Sequence, residues 1–179
     1  MSAAADTVTL TCHPSTHCPA VRRLAVRIAP LGSGTLRLTY SLQADLAGLR
    51  LPPRLAAPAR TDELWRHTCF EAFARCAGAD GYREFNLAPS LAWAAYGFSG
   101  YRAGMTALAQ GAPALEVREQ DDSLVLEATI ATGCDGAPGR LALAAVLEAR
   151  DGTLSYWALR HPAARPDFHH PEGFELEFT

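Results

Sequence analysis

The chain has 179 residues, 49% of them hydrophobic and 20% charged, with a formal net charge of −3. That size and mix suit one globular domain with its own core, so a single domain is expected over residues 1–179. The negative balance excludes a phosphate-neutralising nucleic-acid platform, and the absence of an 18-residue apolar run excludes a membrane-spanning helix.

The opening MSAAADTVTLTCHP has neither the basic n-region nor the apolar h-region of a signal peptide, and the expected compartment is the cytoplasm. All 16 basic residues are arginine, and asparagine occurs once, at Asn86. With abundant alanine, this reads as the codon bias of a GC-rich, bacterial genome. Strand-like runs then recur between turn signals, at 7–11, 24–29, 35–42, 67–74, 82–88, 115–119, 124–130, 141–148, 154–159 and 174–178. LRLTYSL alternates strictly, with Leu36, Leu38, Tyr40 and Leu42 against Arg37, Thr39 and Ser41. GSG at 32–34, GCDGAPG at 133–139 and Asp151-Gly152 mark turns, and the proline-rich stretch 49–61 reads as a crossing loop. Short helical turns are expected near 43–49 and 106–110. LALAAVLE at 141–148 could be helix by propensity, but the Asp-Gly turn after it favours a strand. The fold class expected is all-β, an antiparallel β-sandwich of about ten strands with minor helical turns. Five cysteines, at 12, 18, 69, 76 and 134, form an odd set without CxxC spacing, and five free thiols are expected.

The most informative stretch is 64–105, LWRHTCFEAFARCAGADGYREFNLAPSLAWAAYGFSGYRAGM. At the two-residue period of a strand, Trp65, His67, Cys69, Glu71 and Phe73 share one face, and Thr68, Phe70, Ala72 and Ala74 the other. Tyr82, Glu84 and Asn86 separate likewise from Phe85 and Leu87. An antiparallel hairpin across CAGADG puts Glu71 and Glu84 on one face, with Phe70 and Phe85 on the other. The aromatic and polar face suits a ligand, since rings stack on apolar sugar faces while carboxyls and an amide bind hydroxyls. It equally suits a buried polar network tying sheets together.

This segment resembles the DOMON-like superfamily, which includes the family-nine carbohydrate-binding modules. The resemblance lies in Trp65, in the strand Cys69-Phe70-Glu71-Ala72-Phe73, and in Tyr82-Arg83-Glu84-Phe85-Asn86-Leu87-Ala88-Pro89-Ser90. It is most similar to a bacterial stand-alone group, extending through Trp93, Tyr96, Phe98, Tyr101 and Arg102 and through YWALRHPAARPDFHHPEGF at 156–174. It implies a β-sandwich whose relatives bind sugars or haem without catalysis. Sugar-binding relatives clamp a ring between two tryptophans; Trp65, Trp93 and Trp157 are available, and the resemblance selects no pair. Haem-binding relatives use methionine and histidine, and Met105 is the methionine candidate.

A second cluster, His161 with Asp167 and His169, has ligand types suited to zinc or iron, set in a proline-rich loop. It could equally form a pocket wall or plain scaffold. The run Trp93, Tyr96, Phe98, Tyr101 and Arg102 could contact a ligand or fill a core. Cys69 and His67 lack the third partner and oxyanion donor that a thiolate nucleophile needs. The expected function is non-catalytic binding of a small ligand, carbohydrate or carbohydrate-like first and haem second. Its ligand-binding residues would be Trp65, His67, Glu71, Tyr82, Glu84, Asn86, Trp93, Arg102 and Trp157. The alternatives are a metal-assisted enzyme using His161, Asp167, His169, Glu71 and Glu84, or a protein-interaction domain. No cofactor is required, though haem or a divalent metal would be compatible. The partner expected is a small molecule, with neither nucleic acid nor membrane, and the oligomeric state is left open. The hairpin face and the histidine loop are expected to converge on one pocket, because unpaired buried polar groups cost about 1–3 kcal/mol each.

Overall fold

The computed structural model describes residues 6–179, and among them thirteen strands form one all-β architecture. In chain order these are β1 (Asp6–Cys12), β2 (Val21–Gly32), β3 (Thr35–Ala44), β4 (Ala59–Arg60), β5 (Cys69–Cys76), β6 (Tyr82–Leu87) and β7 (Ala92–Phe98). There follow β8 (Thr106–Ala107), β9 (Leu115–Gln120), β10 (Ser123–Ala131), β11 (Gly139–Glu148), β12 (Leu154–Ala158) and β13 (Leu176–Phe178). All ten runs read from the sequence contain strands, including LALAAVLE within β11, although the last is a strand only over Leu176–Phe178. Strand β7 lies under the aromatic run that was not read as a strand. Residues 106–107 pair with β7 rather than making the expected helical turn. The turn expected near 43–49 is a 3-10 turn at Leu46–Gly48, where Asp45 accepts from the Ala47 amide at 3.2 Å.

The strands run in the order β4-β7-β6-β5-β11-β12-β1-β2-β3-β10-β9, with β13 on β11 and β8 on β7. This corrects the expected antiparallel sandwich of separate sheets. The strands make one curled path, and it is mixed, because β4 pairs with β7 in parallel. The hinge is β1. Asp6 to Leu10 pair with β2, while Thr11 and Cys12 pair with Ala158 and Trp157 of β12. Curling lets the two halves bury one shared core, since isolated two-sided sheets expose too much apolar surface. Leu24, Leu38, Tyr40 and Leu126 from one half meet Phe70, Phe85, Leu143 and Trp157 from the other. Tyr40 lies with its ring centroid 5.1 Å from Phe70, and its hydroxyl donates to the Glu71 carbonyl at 2.7 Å.

Tight turns sit where φ must be positive. Gly32, Ser33 and Gly34 turn β2 into β3 at φ of 91°, 50° and 69°. Asp151-Gly152 connects β11 to β12, with Gly152 at φ 90° and its amide donating to the Ala149 carbonyl. Among the described residues no helix is long and apolar enough to cross a membrane. The five-thiol expectation is overturned: Cys76 at the end of β5 and Cys134 in the β10–β11 loop form a disulfide. Cys12, Cys18 and Cys69 are free. Spacing gave no hint of the pair, because 58 residues separate the two cysteines. The bond bridges the two halves where the chain passes from β10 to β11.

Candidate functional site

The hairpin forms with Glu71 and Glu84 on one face and Phe70 and Phe85 on the other, as expected. Glu71 lies opposite Asn86 and Phe73 opposite Glu84, while Phe70 and Ala72 face Leu87 and Phe85. The second set looks into the shared core and the first onto the outer face of the same half. Across that outer face, Ala158, Ala144, Glu71, Asn86 and Ala94 stand in register on five adjacent strands. A neighbouring row runs Ala142, Phe73, Glu84 and Tyr96. Alanines beside the two glutamates keep the floor low, and bulkier side chains there would fill it.

Over this floor is a cavity of about 400 Å³. Glu71 and Glu84 line its base together with Val146 and Phe98. Trp65 bounds one side, carried on the 3-10 turn Leu64–Arg66. It packs edge-on against Tyr96, whose hydroxyl donates to Asp62 at 2.6 Å, so β7 pins the turn that presents the indole. Tyr156 and Phe168, with centroids 6.0 Å apart, line another part of the wall with Pro166. Arg102, Met105 and His169 complete the lining.

The electrostatics follow from burial. Glu71 is 3% exposed, and its Oε1 has no hydrogen-bond partner. Burial, and then the nearby Glu84, hold its carboxyl well above the ordinary carboxylate range. Glu84 is pushed up to about 7 by burial, opposed by the Asn86 hydrogen bond and the Arg102 charge. Asn86 Nδ2 donates to Glu84 Oε1 at 2.8 Å, and Glu84 Oε2 lies 3.8 Å from His169 Nε2. Burial and the Arg102 charge lower His169 to about 4, so it is neutral at neutral pH. The Tyr82 hydroxyl accepts from the Arg102 amide and shares a 2.7 Å bond with His169 Nδ1. With the phenol hydrogen on Nδ1, we assign the ring proton to Nε2, facing Glu84.

The hairpin and the histidine loop converge on one cavity, as expected, but of His161, Asp167 and His169 only His169 lines it. Of the residues singled out from sequence, Trp65, Glu71, Glu84, Arg102 and His169 line it. Asn86 is fully buried beneath and orients Glu84, and Tyr82 stacks on Phe98 at 4.8 Å and holds His169. Three others are elsewhere. His67 pairs with Glu148 at 2.7 Å, which Arg50 also binds. Trp93 sits opposite Leu87 in the shared core, with Arg60 4.4 Å over its ring. Trp157 is also in that core, and its indole N–H donates to Ser155. The two tryptophans belong to the face that looks inward, so no clamp with Trp65 forms.

The metal expectation fails in the same way. His161 Nε2 is hydrogen-bonded to the Thr11 carbonyl and its ring packs on His13, Asp167 takes bonds from Tyr101 and Arg102, and His169 holds Tyr82. Among the described residues no group of three His, Cys, Asp or Glu side chains could hold a metal ion. Sequence reasoning missed Tyr156, Phe168, Val146 and Pro166, while Phe98 and Met105, named there as a possible ligand contact and as the methionine candidate, do line the cavity. Alternation in LSYWA could have flagged Tyr156 as opposite to Trp157, without saying which looks inward.

No family model matches the chain, and no curated protein matches it. Among solved structures it is similar to a Bacteroides uniformis protein described as a putative carbohydrate-binding protein. The TM-score is 0.67 at 17% identity, over 95% of this chain and 84% of that one. At that identity the likeness establishes the fold.

Proposed function

We propose that this chain is a single DOMON-like domain that binds a carbohydrate or carbohydrate-like metabolite in the Glu71–Glu84 cavity and catalyses no reaction on it. One observation carries the reading: two buried carboxyl groups form the floor between aromatic walls of Trp65 on one side and Tyr156 with Phe168 on another. Protonated carboxyls both donate and accept, which matches hydroxyls on a ring, while flat aromatic faces match its C–H surfaces. About 400 Å³ falls in the range of small-ligand pockets. The described function of the Bacteroides uniformis protein supports the same reading.

Haem fits less well. Met105 and His169 line the same cavity, but His169 Nδ1 is held by Tyr82 and Nε2 faces Glu84. An acidic floor also opposes an apolar macrocycle bearing carboxylates. The Cys76–Cys134 disulfide favours an oxidising compartment over the cytoplasm expected from the sequence.

The test is titration calorimetry against a panel of mono- and oligosaccharides, with Trp65→Ala and Glu84→Gln as comparisons. Binding that both variants weaken, with melting temperatures close to wild type, supports the proposal. A Soret band after incubation with haem, or release of reducing ends from the bound sugar, would overturn it.

A further inference from the structure

Among the described residues, the floor holds two buried carboxyl groups and no cation of its own. Its nearest cation, Arg102, is committed: Nη2 donates to Asp167 Oδ1 at 2.7 Å, and the guanidinium is half exposed at the rim. The other group facing the glutamates from that side is His169, which is neutral. Strand β5 adds the Cys69 thiol, β6 the Asn86 amide and the Tyr82 phenol bonded to His169, β7 the Tyr96 phenol that donates to Asp62, and β11 the apolar Ala144 and Val146. From the opposite half, the Tyr40 hydroxyl is spent on the Glu71 backbone carbonyl. Glu71 Oε1, buried in the cavity wall, is left with no protein donor.

We propose that the ligand is an aminosugar whose protonated amine is received between Glu71 and Glu84. The inference rests on the carbohydrate reading for the ring, and adds the charge. An ammonium group offers three donors from a single atom, enough to serve the Glu71 and Glu84 carboxyls together. A hydroxyl offers one. The indole of Trp65 and the rings of Tyr156 and Phe168 line the same cavity, and aromatic rings attract a cation more than a neutral group. In the free protein, burial and then the nearby Glu84 hold Glu71 well above the ordinary carboxylate range, and burial raises Glu84 to about 7. A cation between them reverses that balance, so binding expels protons into the buffer.

The experiment is calorimetry of the full chain at pH 7 in buffers of low and high ionisation enthalpy. The probes are glucosamine, galactosamine and mannosamine, each matched with its neutral hexose and its N-acetyl form, and tetramethylammonium and a linear diamine as sugar-free cations. The amines should bind about tenfold or more tighter than their neutral partners, a difference of about 1.4 kcal/mol, and release about one proton per ligand. Glu71→Gln and Glu84→Gln should each remove the preference and the proton release while leaving some neutral-sugar binding. If Glu71→Gln does not fold, Glu84→Gln and the wild-type buffer dependence decide. Equal binding of amines and neutral sugars without proton release would overturn this inference and leave the carbohydrate reading standing. Cations binding while no sugar does would sink the carbohydrate reading and keep the ammonium site. Silence from every probe would remove both.

Discussion

The Tyr40 hydroxyl donates to the main-chain carbonyl of Glu71 at 2.7 Å, so the residue whose carboxyl forms the cavity floor is held through its backbone by the opposite half of the molecule. Both residues are buried. Tyr40→Phe keeps the ring against Phe70 and removes only this bond. Urea denaturation should show a loss of about 1–2 kcal/mol, the cost of a buried hydrogen bond and its unpaired acceptor. An unchanged midpoint would mean the ring alone carries the contact.

The three tryptophans should separate cleanly. Trp93→Ala and Trp157→Ala cut into the shared core and should each cost about 3–5 kcal/mol. Trp65 is partly exposed on a one-turn element, and Trp65→Ala should leave the melting temperature nearly unchanged while weakening ligand binding. A large stability loss at Trp65 with unaltered binding would move the site elsewhere.

The disulfide gives a direct count. Thiol titration of denatured, unreduced protein should find three thiols, from Cys12, Cys18 and Cys69. Reduction should destabilise the fold by roughly 4 kcal/mol, the chain-entropy figure for a loop of 58 residues. Five thiols would return the protein to the fully reduced form expected from spacing.

Stability should depend on pH through two opposed groups. The Glu84 carboxyl is raised from 4.5 to about 7, so the folded chain holds a proton that the unfolded chain has lost, and stability falls as pH rises across that window. His169 is lowered from 6.5 to about 4, so its contribution is present above 6.5 and is lost as pH falls toward 4. The two slopes offset each other where they overlap. Glu84→Gln should therefore gain on wild type as pH rises from 4.5 to 7, and His169→Gln should gain as pH falls from 6.5 to 4. Parallel curves for wild type and Glu84→Gln would show that the carboxyl titrates normally.

Much of the architecture was legible in the chain. The ten strand runs, the Asp151-Gly152 hairpin and the sharing of one hairpin face by Glu71 and Glu84 follow from period-two alternation and turn chemistry, which act over a few residues. In β3 and β10 one face is wholly buried and the other mostly is not, so the pattern also tells which side is inward. In β5, β6, β7 and β11 nearly every residue is buried on both faces. There alternation sorts side chains into two sets without assigning either to the core. Only the curl of the sheet decided that Trp157 faces inward and Tyr156 the cavity, that Trp93 is core, and that His161 is drawn to Thr11 rather than His169. The same curl joined Cys76 to Cys134. Local alternation determined which residues share a face. The face that became a site, and the long-range pairs around it, were decided by packing between distant segments, which no local pattern encodes.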